Sequence, residues 1–285
     1  MAPPPSASQP VPEVRDLRFD LTDVPRHWHG GRASVTRFFD NLSILFPPGE
    51  RFFVSAVKAH LSQVSDPALH EAMAAFCAQE GHHSREHVRY NKLLRDQGLP
   101  VADMERRVER LLAVVTKISS RRRQLAVTCA LEHFTALMAT LVLTLPRSID
   151  GAHPTMAALW RWHAAEENEH KSVAFDAYVA TGGSWSLRCR VMGVVTLTFW
   201  LRVWTQQLRL MHADGLLFSA KEWAALAHFL FEPGGLVSLW RPYLAYYRRG
   251  FHPSQLDDAG MLEGWKRELG ASDEYRKAQR YTVSM

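Results

Sequence analysis

Cysteine is scarce in this chain, with three among 285 residues, at Cys77, Cys129 and Cys189. Their odd number and wide separation exclude a disulfide framework and fit a reducing cytoplasm. No apolar run is long enough to cross a bilayer. The longest, VMGVVTLTFWL at 191–201, is closed off by Arg188, Arg190 and Arg202 and reads as a buried or interfacial helix. The first sixteen residues, MAPPPSASQPVPEVRD, hold five prolines and no hydrophobic segment, so they read as a flexible leader rather than a secretory signal. Alternation with period two is missing too, which leaves no convincing strand.

Acidic residues are the minority charge, 29 against 34 Lys and Arg, giving a net charge of +5. The excess gathers in Arg121, Arg122 and Arg123 and again in Arg248 and Arg249. Such runs are ordinarily solvated helix ends, so nucleic acid is set aside as a partner, while contact with a membrane surface stays open.

What is present is helical periodicity almost throughout. It predicts a helix after Pro47-Pro48 running to the break at VSDP, and a second from 68 to Gly98. Further helices are expected at about 102–118, 120–145, 154–180, 185–212, 219–231 and 236–249. The chain therefore reads as all-α. A leader over 1–16 precedes one helical domain over 17–250, which has a C-terminal extension from about 185, and a polar tail covers 251–285.

The chemistry concentrates in the stretch WHAAEENEHK at 162–171. At 3.6 residues per turn His163, Glu167 and His170 share one stripe, with Glu166 and Glu169 turned to its solvated or supporting flanks. A metal needs such a stripe; surface salt bridging does not. The Glu-x-x-His spacing of Glu167 and His170 recurs at Glu80 and His83, and i, i+3 places carboxylate and imidazole on one face. Register strengthens the pattern. Glu50 lies 15 residues before the turn near Ser65 and Glu80 lies 15 after it, so both sit roughly 20 Å from the turn of a hairpin. Glu132 and Glu167 lie 18 before and 17 after a turn centred near Asp150. Glu132 also stands between LAVTCAL and FTALMATLVLTL. A lone buried carboxylate there would cost several kcal/mol and take up a proton; a bound cation removes that cost.

This Glu, Glu-x-x-His, Glu, Glu-x-x-His order resembles the ferritin-like di-iron carboxylate proteins, four-helix bundles with one Glu from each of two helices and Glu-x-x-His from each of the others. The resemblance implies Glu50 and Glu132 as the single ligands, with Glu80 and His83, and Glu167 and His170, as the pairs. It implies Glu80 and Glu167 as bridges and the rest as terminal ligands. His163 resembles the additional histidine of the arylamine N-oxygenases, which supplies a seventh ligand. The segments EGHHSREH, HAAEENEHKSVAFD and YYRRGFHP are similar to a bacterial family catalogued as predicted metal-dependent hydrolases, over roughly residues 15–255. His87, one turn beyond His83 on the same face, reads as a supporting residue or proton donor, or else as a hydrogen-bonded core histidine.

The expected fold is thus a ferritin-like bundle with additional C-terminal helices. The expected cofactor is two iron ions, with manganese or a mixed pair as alternatives. Two ferrous ions can give two electrons to dioxygen, so the expected activity is oxidation of an apolar or aromatic small molecule, with an electron donor as partner. The competing readings are two-metal hydrolysis and a non-enzymatic iron-binding bundle. Trp200, Trp204, Trp240, Tyr243 and their aromatic neighbours are read as core or as the lid of an apolar pocket. His27 and His29, in an apparent loop, are read as structural. The expected location is cytoplasmic, with a peripheral membrane position left open.

Overall fold

The order of apolar clusters along the chain sets the architecture. Residues 10–256 and 259–283 are described by a computed structural model. Its helices are α1 (Ala33–Lys58), α2 (Pro67–Asp96), α3 (Val101–Ile118), α4 (Arg121–Thr144), α5 (Pro154–His170), α6 (Val173–Ala180), α7 (Trp185–Ala213), α8 (Ala220–Phe231), α9 (Trp240–Ala245), α10 (Ala259–Ala271) and α11 (Asp273–Val283). The described residues contain no strand, and one isolated bridge joins His29 to Ala152. The protein is all-α.

α1 packs on α2 and α4 on α5, and further contacts of α1 with α4 and α2 with α5 close a four-helix bundle. α7 lies across α1 and α4, and α3 lies against α1. Two apolar clusters fill the bundle at different heights. One holds Phe39, Ile44, Tyr90, Leu94, Leu159 and Trp162, and the other holds Phe53, Phe76, Leu125, Ala130, Phe134 and Val173. On α1, α2 and α5 the chain passes from one cluster to the other across Glu50, across Glu80 and His83, and across Glu167 and His170. A buried polar layer is therefore sandwiched between two dry ones.

Local chemistry explains four of the helix starts. Pro67 opens α2, whose Asp66 carboxylate accepts from the Ala68 amide at 3.0 Å. Ser120, Ser184 and Ser219 accept amides in the first turns of α4, α7 and α8. Gly98 ends the α2 segment at φ +85°, where a side chain would strain the backbone.

Four expectations need correction. α1 does not begin after Pro47-Pro48; it starts at Ala33 and runs through both prolines. Pro47 has no N–H for the Ser43 carbonyl, and Asn91 Nδ2 of α2 donates to that carbonyl instead, at 3.2 Å. The single helix expected over 154–180 is interrupted at Lys171-Ser172, directly after His170, and resumes as α6. The polar tail folds into α10 and α11. There Trp265 Nε1 donates to Tyr275 Oη and Tyr275 Oη donates to the Ala158 carbonyl of α5, both at 3.1 Å. Within the expected leader, residues 10–16 run along the bundle, with Arg15 buried; residues 1–9 lie outside the described residues.

By length and composition α4 could cross a membrane, although no uninterrupted apolar run suggested it. It is a core helix: two-thirds (67%) of its most apolar window is buried inside the fold. The three cysteines are free thiols.

Candidate metal centre

Seven side chains named from the sequence converge in the polar layer. Glu50 comes from α1, Glu80 and His83 from α2, Glu132 from α4, and His163, Glu167 and His170 from α5. All are buried. Donor atoms of Glu80, Glu132 and His170 lie within 4.8 Å of one another, as do those of Glu50, His83 and His163, and those of Glu80, His83 and Glu167. His170 Nε2 stands 3.2 Å from Glu80 Oε1, 3.4 Å from Glu132 Oε2 and 3.7 Å from Glu167 Oε2. The other Glu167 oxygen, Oε1, is 3.1 Å from His163 Nε2 and 3.7 Å from His83 Nδ1. Glu167 thus faces both groups at once, one oxygen to each.

Ten of these atoms are buried without a hydrogen-bond partner: both oxygens of Glu50, Glu80 and Glu132, Oε2 of Glu167, Nδ1 of His83, and Nε2 of His163 and His170. Unsatisfied buried carboxylates are costly, by several kcal/mol for each charge. Cations at the centre of the layer would satisfy all ten, and a mixed carboxylate and imidazole donor set suits iron, manganese or zinc. The residues fit a dinuclear centre.

The far nitrogens of the three histidines are each held. His83 Nε2 is 3.0 Å from Glu166 Oε2, His163 Nδ1 is 2.9 Å from His87 Nε2, and His170 Nδ1 is 2.9 Å from Gln79 Oε1. Such partners fix the tautomer and leave the opposite nitrogen free to ligate. A neutral His163 that ligates through Nε2 carries its proton on Nδ1 and donates it to His87. His87 Nδ1 then donates to Ser43 Oγ at 2.9 Å, and Ser43 donates to Asn91 Oδ1 at 2.8 Å. Phe46, Trp160, Trp162 and Phe76 pack on the histidine rings and keep the layer dry.

Electrostatics expresses the same crowding. Burial pushes Glu50 and Glu80 well above the usual carboxylate range, and neighbouring carboxylates add to it. Burial and the Glu167 charge push Glu132 up to about 7. Burial opposes ionisation of Glu167 as well, but His163 and His170 outweigh it and hold that carboxyl well below its usual value. His170 is the counterpart: burial lowers it, yet Glu132, Glu167 and Glu80 raise it well above an ordinary histidine. Burial and the His163 charge push His83 and His87 well down.

His87, expected on the face of His83 as a supporting, proton-donating or core histidine, has His163 as its partner across the bundle. Of the two roles expected for Glu166 and Glu169, solvated or supporting, the structure shows the supporting one. Glu166 is fully buried, and burial pushes its carboxyl up to about 8. Arg15 reaches Glu166 at 3.2 Å and grips Glu169 at 2.8 Å. His29 is structural, with Nε2 2.7 Å from the Ser148 carbonyl. Arg15, Gln79, Ser43 and Asn91 were not singled out from the sequence. Gln79 precedes Glu80 on α2, but nothing local marks it, and Arg15 lies in a proline-rich stretch without periodicity.

Residues 13–257 match the sequence model of a family described as predicted metal-dependent hydrolases, and the chain belongs to that family. No curated protein and no solved structure matches it.

Proposed function

We propose that this member of the predicted metal-dependent hydrolase family is a dinuclear metal enzyme of ferritin-like architecture, working on an apolar small molecule by hydrolysis. The observation that carries the reading is the set of ten buried, unpartnered donor atoms facing one another across four helices. Glu50, His83 and His163 would hold one ion, Glu80, Glu132 and His170 the other, and Glu167 would lie between them. Two divalent ions supply Lewis acidity and an activated water.

The chain's own part is positional. Glu166, His87 and Gln79 fix the three imidazoles, and the aromatic walls exclude bulk water. His87, outside the proposed ligand set, is a proton-carrying group beside the centre, backed by Ser43 and Asn91. The pocket expected from the C-terminal aromatics has a counterpart in an apolar crevice between α4, α7 and α9, lined by Phe134, Met138, Trp200, Trp240 and Tyr243.

Dioxygen activation by two irons was the first expectation from the sequence. Family membership favours hydrolysis over it. It stands as the second reading, supported by two Glu-x-x-His pairs in facing hairpins and by a donor set suited to iron.

The test is anaerobic loading of the full chain with Zn(II), Mn(II) or Fe(II), a metal count, then assays of aromatic acyl-ester hydrolysis and of dioxygen consumption. Two ions per chain with ester turnover, both lost in Glu132→Ala and His170→Ala, is the expected result. Dioxygen consumption by the Fe(II) form without ester turnover transfers the assignment to the second reading. Failure to bind stoichiometric metal overturns both.

A further inference from the structure

The outer face of α7 has no use in the metal centre, and it is unusual for a solvated surface. Val194, Leu197 and Leu201 are 64%, 71% and 62% exposed, at helical spacing, and Leu208 extends the stripe. The neighbouring corner adds half-exposed Val237, Trp240 and Leu244. Trp240 belongs to this surface and half-buried Trp200 lies beside Leu197 and Leu201 on α7; both tryptophans line the apolar crevice, whose volume is about 170 Å³. Scattered exposed leucines are ordinary, but an aligned stripe joined to an apolar opening marks a binding surface.

Charge identifies what binds. α7 has no acidic residue and four arginines; Arg188 is buried and Arg209 pairs with Asp103 at 3.0 Å, which leaves Arg190 and Arg202, among the described residues, as its unanswered surface charges. Over 185–250 the acidic residues are Asp214, Glu222 and Glu232, and all three are engaged elsewhere. Asp214 is held by Arg37 and Arg26, Glu222 accepts from the Ser34 amide, and Glu232 lies 3.4 Å from Arg147. Among the described residues Arg190, Arg241 and Arg249 have no carboxylate partner, and the last two lie over Trp240 and Trp185. Apolar side chains, tryptophans at their margin and uncompensated arginines around them match the layers of a lipid interface. A second copy of the chain fits worse, because antiparallel α7 faces would set Arg190 and Arg202 against like charges with no acid to answer them.

We propose that the outer face of α7, with the α9 corner, is a docking surface for an anionic lipid bilayer, and that the crevice between Trp200 and Trp240 opens toward the lipid. This proposal does not depend on the metal chemistry. It places the apolar crevice where a lipophilic molecule can leave the membrane.

The experiment is flotation of the full chain with vesicles of phosphatidylcholine alone or mixed with phosphatidylglycerol, at low and at physiological salt. Binding to the phosphatidylglycerol vesicles is expected, with little to phosphatidylcholine alone and a loss of about tenfold on raising the salt. The Leu197→Glu, Leu201→Glu double variant is expected to lose binding by about tenfold or more with unchanged thermal melting, since both side chains are exposed. Arg190→Glu is expected to weaken binding to anionic vesicles alone. Absence of flotation with phosphatidylglycerol overturns the proposal, as does undiminished binding by the double variant. A wild-type dimer in sedimentation velocity that the double variant dissociates, without vesicle binding, assigns the face to self-association instead.

Discussion

Glu80 of α2 and His170 of α5 meet at 3.2 Å, although they belong to different hairpins of the chain. The contact closes the polar layer from one side of the bundle to the other. Neither residue has another local reason to be buried, and each brings with it the rest of its Glu-x-x-His pair.

Removing one carboxylate should separate stability from function. In Glu132→Gln the volume is kept and a buried charge is lost. In the presence of a chelator at pH 8, above the value of about 7 to which burial pushes Glu132, this variant should be more stable than the parent by about 1–3 kcal/mol. With saturating metal the order should reverse, and the variant should bind fewer ions. Paired thermal melts with and without metal check both signs.

The partners behind the histidines should control affinity. Gln79→Leu leaves His170 Nδ1 without its 2.9 Å partner while keeping the bulk. Metal affinity should fall about 10–100-fold with little change in the fold. Competition against a chromophoric chelator measures the difference, and an unchanged affinity would show that Gln79 merely packs.

His29 should make stability fall on mild acidification. Burial holds its imidazole down to about 4, while the Ser148 carbonyl opposes the shift only in part. The unfolded chain takes up this proton near pH 6.5 and the folded one only near pH 4. The unfolded state therefore binds more protons between those values, and stability falls as the pH drops through that window. The loss amounts to at most about 3 kcal/mol. His29→Gln should flatten that part of a urea-denaturation profile measured against pH.

Asp214 should act with the opposite range. Burial would raise its carboxyl, but Arg37, at 2.6 Å, and Arg26 outweigh it and bring it to about 2. Its contribution is complete above the unfolded value near 4 and is lost as the pH falls through 2. At pH 7 Asp214→Asn should cost about 3–5 kcal/mol, because Arg37 is fully buried and among the described residues keeps Asp40 alone as a carboxylate partner. The cost should shrink below pH 4, which acid-denaturation curves of the two proteins would reveal.

The helical content and the register of the buried glutamates were legible because both are local. Helical rise and turn position place Glu50 level with Glu80, and Glu132 level with Glu167, with no knowledge of packing. Chain entry into α1 was hidden, since the proline pair argues for a start and the residue that tolerates it, Asn91, lies on another helix. The tail was misread for the same reason. Its sequence is polar, and only the contacts of Trp265 and Tyr275 with Arg15 and α5 show which side is covered. The break after His170 follows no proline or glycine. Helical spacing put Glu166 beside the stripe, but Gln79 and Arg15 join the supporting shell by distance in space, and sequence spacing carries no trace of them.

The division of the donor groups has a consequence for assembly. Glu50 and His83 come from the first hairpin and His163 from the second, while Glu80 comes from the first and Glu132 and His170 from the second. Neither hairpin holds a full set for either position. In the proposed assignment an ion that enters would be a staple between the two halves of the chain, and its release would unfasten the seam between them. Metal content in this protein would report how completely its halves have docked, as well as whether it is ready to react.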